Sequence, residues 1–227
     1  MGVDSSTIDA GPLAASGPEI AIAMLSATQI ASLHDALSRA WHLHGSPADS
    51  LAADPWYEQV ARQHRANFEL WHIEDEARAP HIADADLAGV KRRIDRTNQL
   101  RNDLVEQLDV ALLGWLANRN LPDPAAPLNS ETAGLIIDRL SILSLKIYHT
   151  REEAERTDAP TGHAERNRSR LEILQEQRTD LAGCLDQLWR QTLAGERRFK
   201  LYRQLKMYND PSLNPSIYGK TGSETLP

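Results

Sequence analysis

The stretch ETAGLIIDRLSILSLKIYHT, residues 131–150, is apolar on nearly every side of a helical period. A helix that is apolar all round has to be enclosed by others, so this segment predicts the central member of a helical bundle. Its polar exceptions are few. At about 100° per residue, Asp138 and His149 share one azimuth, and Arg139 and Lys146 share another.

Around it the spacing predicts four more helices. Ile30, Leu33, Leu37 and Trp41 form the first stripe, which HGSP ends at residues 44–47. Asp54 as N-cap and Pro55 at the first helical position open the second, which runs to about Arg78. Asp84 or Asp86 starts the third, through Asn118, and NRNLPDPAAPLNS (118–130) is an interior loop. Ser130 caps the fourth, which reaches about Arg156, and TDAPTG (157–162) separates it from a fifth running from about His163 to Met207. No segment alternates as a strand does and nothing repeats. The expected fold is all-α, a single-domain bundle of about five long helices over residues 23–208, with a flexible leader (1–22) and an irregular C-terminal segment (209–227).

Composition narrows the function classes. A net charge of −7 argues against general nucleic-acid binding, and no recognition motif offsets it. No run approaches the roughly 20 apolar residues needed to cross a bilayer, and the N-terminus lacks the basic and apolar regions of a signal peptide. The expected location is the cytoplasm. One cysteine excludes an internal disulfide framework, and Cys184, at helical spacing in DLAGCLDQLW, reads as a small buried hydrophobe.

The candidate site starts from NFELWHIEDEAR, residues 67–78. On the second helix Glu58, Arg62, Arg65, Glu69 and Glu76 make a mixed-charge, solvated stripe, opposite a core stripe of Tyr57, Val60, Phe68 and Trp71. His64, Asn67, Glu74, Asp75 and Arg78 share the apolar side. Glu69-x-x-His72 has the spacing used in carboxylate-bridged di-metal bundles. Turning Glu69 inward would expose Trp71 and Val60, and no second such pair exists, so no metal ligands are assigned. On the third helix Arg101 and Thr97 interrupt the stripe of Val90, Ile94, Leu104, Leu108, Leu112 and Trp115; Asn98 flanks them, Asn102 is borderline, and Asp95, Glu106 and Asp109 face outward. A guanidinium in an apolar seam needs an acceptor. Asp138 is the best placed, because Glu74 and Asp75 lie two to three turns away in depth.

Four separated motifs, NFELWHIEDEARAP, IDRTNQLRNDLVEQLD, IDRLSILSLKIYH and LYRQLKMYNDPSLNP, resemble the bacterial domain-of-unknown-function family numbered 4254, over about residues 55–218. The resemblance implies a helical bacterial protein and attaches no activity. Its motif positions are Asn67, Trp71, Glu74, Asp75, Arg78, Asn98, Arg101, Asn102, Asp138 and Lys146, nearly all of which the helical wheel selects independently.

Two functions compete. In the first, the protein binds or processes a phosphorylated or nucleotide-sugar metabolite. Asn67, Trp71, Arg78, Asn98, Arg101, Asn102 and Lys146 would hold the small anionic ligand, and Glu74, Asp75 and Asp138 are the candidate catalytic carboxylates. In the second, it is a non-catalytic scaffold whose basic C-terminal helix (Arg190, Arg197, Arg198, Lys200, Arg203, Lys206) docks an acidic partner. The sequence names no cofactor and leaves homo-oligomerisation open.

Overall fold

The computed structural model describes residues 22–45, 52–203 and 212–213. Five helices account for most of them: α1 (Ala27–His44), α2 (Pro55–Ala77), α3 (Asp84–Ala117), α4 (Ala133–Glu155) and α5 (His163–Leu193). No strand occurs among the described residues, so the all-α expectation holds. Among them, too, no helix is long and apolar enough to cross a membrane. Of the expected leader and irregular C-terminal segment, only Ile22 and residues 212–213 are described.

Local chemistry sets the helix ends. Asp54 accepts hydrogen bonds from the amides of Trp56 (2.8 Å) and Tyr57 (3.4 Å), and Pro55 follows at the first turn, where its missing N–H costs nothing. The cap of α4 is Thr132, whose hydroxyl accepts from the Leu135 amide at 3.2 Å, and not Ser130. α5 ends fourteen residues short of Met207, at Leu193. Gly195 takes a left-handed φ of 72°, which stops the helix as a C-terminal glycine commonly does. The chain then runs back along the interior loop. Arg198 pairs with Leu128 in an isolated bridge, its amide donates to the Pro127 carbonyl, and its Nε donates to the Ala126 carbonyl at 2.7 Å. Phe199 is buried beside them. Arg197, Arg198, Lys200 and Arg203 are therefore not on a helical surface, and of the basic run only Arg190 lies on α5 among the described residues.

α2 packs on α3 and α4 on α5, while α4 also touches α1, α2 and α3. The segment read as central is central. The main apolar core brings Trp56 and Val60 of α2, Leu108, Leu112 and Leu116 of α3, Ile136, Ile137 and Leu140 of α4, and Leu185, Leu188 and Trp189 of α5 together. Two smaller clusters lie elsewhere, Leu37–Trp41–Ala61 and Ile73–Val90–Ile94. Polar residues fill much of the space around the levels of residues 34–38, 63–67 and 138–144.

Two assignments reverse, one in each direction. Cys184 is exposed, because α5 turns only part of its circumference to its neighbours. Asp109 is buried and accepts from the Gly134 amide at 2.7 Å, because α3 faces α4 as well as α2. The close crossing requires glycine: a Cβ at position 134 would sit 2.8 Å from both Asp109 Oδ1 and the Val105 carbonyl oxygen. Gly134→Ala is expected to destabilise the protein by about 1–3 kcal/mol, even after the helix-propensity gain of up to about 1 kcal/mol. Gly183→Ala, where the added carbon meets nothing, keeps that gain. Urea-denaturation midpoints of the two variants should move in opposite directions.

Candidate functional site

Asp138 gathers donors from two other helices. Its Oδ1 accepts from Gln63 Nε2 (2.6 Å), Asn67 Nδ2 (2.9 Å) and Arg101 Nε (2.8 Å), and its Oδ2 accepts from Arg101 Nη2 at 2.5 Å. Gln63 and Asn67 are four apart on one face of α2, Arg101 comes from α3, and Asp138 comes from the middle of α4. The carboxylate is 5% exposed and the guanidinium 25%, so the pair sits where bulk water screens it weakly. Two parallel N–H donors on one carboxylate fix the guanidinium plane. Hydrogen bonding to the Asp138 carboxylate outweighs the cost of burial and holds Arg101 more firmly charged than a free arginine.

A second branch leads from Asn67 into α1. Asn67 Nδ2 also donates to Ser141 Oγ (2.9 Å), which is 2.7 Å from His64 Nδ1, and His64 Nε2 lies 3.0 Å from Ser38 Oγ. His64 stacks on His34 at 4.5 Å and on Trp41 at 5.2 Å. Burial pushes the His64 imidazole down to about 3, and His34, also fully enclosed, falls well below its ordinary value for the same reason. Both rings are therefore neutral at physiological pH.

Beside this network lies a cavity of about 440 Å³ between α2, α3 and α4. Leu70, Trp71, Ile142 and Leu145 make its apolar wall, and Asn67, Glu74, Asp75, Arg78 and Arg101 supply the polar atoms. With Nε and one N–H of Nη2 on Asp138, the guanidinium keeps three further N–H donors, and Arg101 lines the cavity. Arg78 sits at the rim, 2.9 Å from Glu74 and 3.8 Å from Asp75, with two-thirds of its side chain in solvent.

Six of the ten candidate residues thus line one cavity: Asn67, Trp71, Glu74, Asp75, Arg78 and Arg101. Asp138 stands directly behind it, as the acceptor expected for Arg101. Both of its oxygens are occupied by donors, which suits a positioning role better than proton transfer. Glu74 and Asp75 are at the mouth, paired with Arg78 and not with Arg101. Asn98 and Asn102 are half-buried on α3 near Arg101 but do not line the cavity. Lys146 does not join the group. It is exposed on the far side of α4, beside Arg139, Asp180 and Cys184. Glu69 pairs with Arg65 at 2.9 Å on the solvated stripe, as the helical wheel requires.

Sequence reasoning overlooked Gln63, His34 and Ser38. For Gln63 the signal was present, since it precedes Asn67 by four residues on the same face. His34 and Ser38, also four apart, interrupt the stripe of α1 in the same way.

The comparisons with known proteins bear on family alone. A sequence profile described as "Protein of unknown function (DUF4254)" matches residues 57–201. No curated protein and no solved structure matches the chain.

Proposed function

The chain belongs to the DUF4254 family, whose description assigns no activity, and from the site itself we propose that the protein binds a small metabolite carrying a flat apolar face and a weakly charged anionic group. The observation that carries this reading is the clamp of Asp138 on Arg101 at the wall of the cavity. A buried pair of this kind contributes little net stability, because desolvation offsets most of the attraction. It does hold a guanidinium in one orientation with an N–H directed to a ligand.

The lining also limits the ligand. Glu74 and Asp75 balance Arg78 and Arg101, so the wall carries no net positive charge for a highly charged phosphate chain. Trp71 and the aliphatic residues favour a ring, with Arg101 reading one anionic or carbonyl oxygen. Within the phosphorylated and nucleotide-sugar metabolites, this selects members with low charge and a large planar part. Arg101 binds, Trp71 stacks, and Asp138, Gln63 and Asn67 position; no catalytic step is assigned. The scaffold reading has less support: Arg197 and Arg198 are half-buried beyond the end of α5 and Arg198 Nε donates to the Ala126 carbonyl, while Arg190, Lys200 and Arg203 are exposed.

A thermal-shift panel of nucleosides, nucleotides and sugar nucleotides tests the proposal. A ligand at about one hundred times its dissociation constant adds about 2.7 kcal/mol, several degrees for a domain of this size. Trp71→Ala should weaken the strongest binder by at least about tenfold, whereas Asp75→Asn, which loosens an exposed pair, should change it by less. A panel that shifts nothing, or a binder indifferent to Trp71, overturns the reading.

A further inference from the structure

Away from the Asp138 network, α1, α2 and α4 bring three histidines together. His42, His72 and His149 each present a ring nitrogen, and these three atoms lie within 4.8 Å of one another. The ring centroids are 5.2 Å (His42–His72), 4.9 Å (His42–His149) and 6.0 Å (His72–His149) apart. Beyond the Glu69-x-x-His72 spacing, the stretches that supply them carry no metal-ligand motif as sequence.

The hydrogen bonds around the rings give the cluster its meaning. His42 Nδ1 is 2.7 Å from the Ser38 carbonyl oxygen, and His72 Nδ1 is 2.8 Å from the Phe68 carbonyl oxygen. A carbonyl oxygen only accepts, so each Nδ1 carries the proton and each Nε2 keeps its lone pair. His149 Nδ1 lies 2.9 Å from Glu152 Oε2, and a carboxylate imposes the same tautomer. All three rings are thereby oriented by a partner on Nδ1 and left basic at Nε2, the arrangement found behind metal-ligating histidines. Two of the Nε2 atoms, on His42 and His149, are shut away from solvent with no hydrogen-bond partner. A buried lone pair left unmatched is costly unless something fills it.

Packing fixes the rings further. Tyr148 stacks on His42 at 4.1 Å and 15°, and Trp71 stacks on His149 at 4.7 Å and 11°. Such stacking alone would account for aromatic rings in contact, but not for three Nδ1 atoms each held by an acceptor outside the cluster.

We propose that His42, His72 and His149 form a three-histidine binding site for a divalent transition-metal ion, zinc by preference. Neutral imidazoles without a carboxylate ligand suit zinc, copper or nickel and not magnesium or calcium. Zinc–nitrogen bonds of about 2.0–2.1 Å put tetrahedral ligand atoms roughly 3.3 Å apart, so the rings close by about 1.5 Å at most on loading. Glu152 supplies the negative charge behind His149. Three protein ligands leave a fourth position open, and a groove along His42 and His72, with Glu69 and Glu76 on its wall, gives solvent access to it. This site shares Trp71 with the Arg101 cavity, but none of its three histidines lines that cavity, and it stands whether or not the cavity binds a metabolite.

The test uses the full chain stripped with a chelator and then titrated with Zn²⁺, with native mass spectrometry for stoichiometry and Co²⁺ absorption for geometry. One ion per chain and the intense visible bands of a low-coordinate Co²⁺ complex are expected; Mg²⁺ and Ca²⁺ should not compete. His72→Gln, at an exposed position, should weaken Zn²⁺ by at least about 100-fold, and Glu152→Gln, which removes the carboxylate behind His149, by about 10–100-fold, with the urea midpoint of each apo variant measured alongside. His81→Gln, outside the cluster, should change nothing. Equal Zn²⁺ affinity in wild type and His72→Gln, or the pale spectrum of hydrated Co²⁺, overturns the proposal.

Discussion

Replacing Asp138 with alanine is expected to destabilise the protein by about 3–5 kcal/mol, the cost of breaking a buried ion pair by removing one partner. The carboxylate receives two hydrogen bonds from Arg101 and one each from Gln63 and Asn67. Alanine leaves the guanidinium without its counter-charge in a largely dehydrated seam, and it leaves Gln63 Nε2 with no acceptor. Asn67 fares better, since Ser141 still accepts from it. Asp138→Asn is no remedy, because one amide N–H₂ would face an arginine donor. Against a total stability of about 5–15 kcal/mol, either loss should appear as a large drop in the urea midpoint followed by far-UV circular dichroism. A loss below about 1 kcal/mol for Asp138→Ala would mean that water already reaches the pair.

Acid should destabilise the protein from just below neutrality. Burial holds the folded His64 at about 3 and His34 well below its ordinary value, so the unfolded chain binds protons first. The stability of such groups is fully present above about pH 6.5 and falls as the pH drops toward the folded value. His64 alone should cost about 2 kcal/mol by about pH 5, at 1.36 kcal/mol per pH unit, and His34 adds in the same sense. Asp109 acts in the opposite direction. Burial raises its carboxyl to about 6, above its unfolded value, so the folded protein binds that proton first and gains stability as the pH falls through about 6. Denaturation curves between about pH 7 and 5 should therefore show a net loss in wild type, a steeper one in Asp109→Asn and a shallower one in His64→Gln. A wild-type stability that is flat across that window would contradict the burial of the two histidines.

The fold was legible wherever one local rule governed an element. Asp54 and Pro55 fix the start of α2 because capping is a property of two adjacent residues. The all-round apolar pattern of 131–150 gave α4 its central place because burial on every side leaves no other arrangement. The Asp138–Arg101 contact was legible because an apolar seam tolerates a guanidinium only beside an acceptor.

The misses share a physical cause as well. A helical wheel assigns one inner face, whereas α3 meets two helices, and so Asp109 turned inward toward the space that Gly134 leaves open. The basic run after Arg190 kept helical character in composition, but Gly195 ended the helix. Lys146 belongs to the same motif as Asp138 yet faces another groove, since neighbours in a motif need not share a face. The His42–His72–His149 cluster depends on three helices meeting at one level, and no single segment carries that register.

The central claim is that the polar network holds Arg101 ready for a ligand and does more than fix helix register. Isothermal titration of the strongest binder from the metabolite panel into wild type and Arg101→Lys tests it most directly. Lysine keeps a cation against Asp138, so folding stability should fall by only about 1 kcal/mol, but it cannot clamp the carboxylate and donate to the cavity together. The account predicts an affinity loss of at least about tenfold. An unchanged dissociation constant in Arg101→Lys would contradict it.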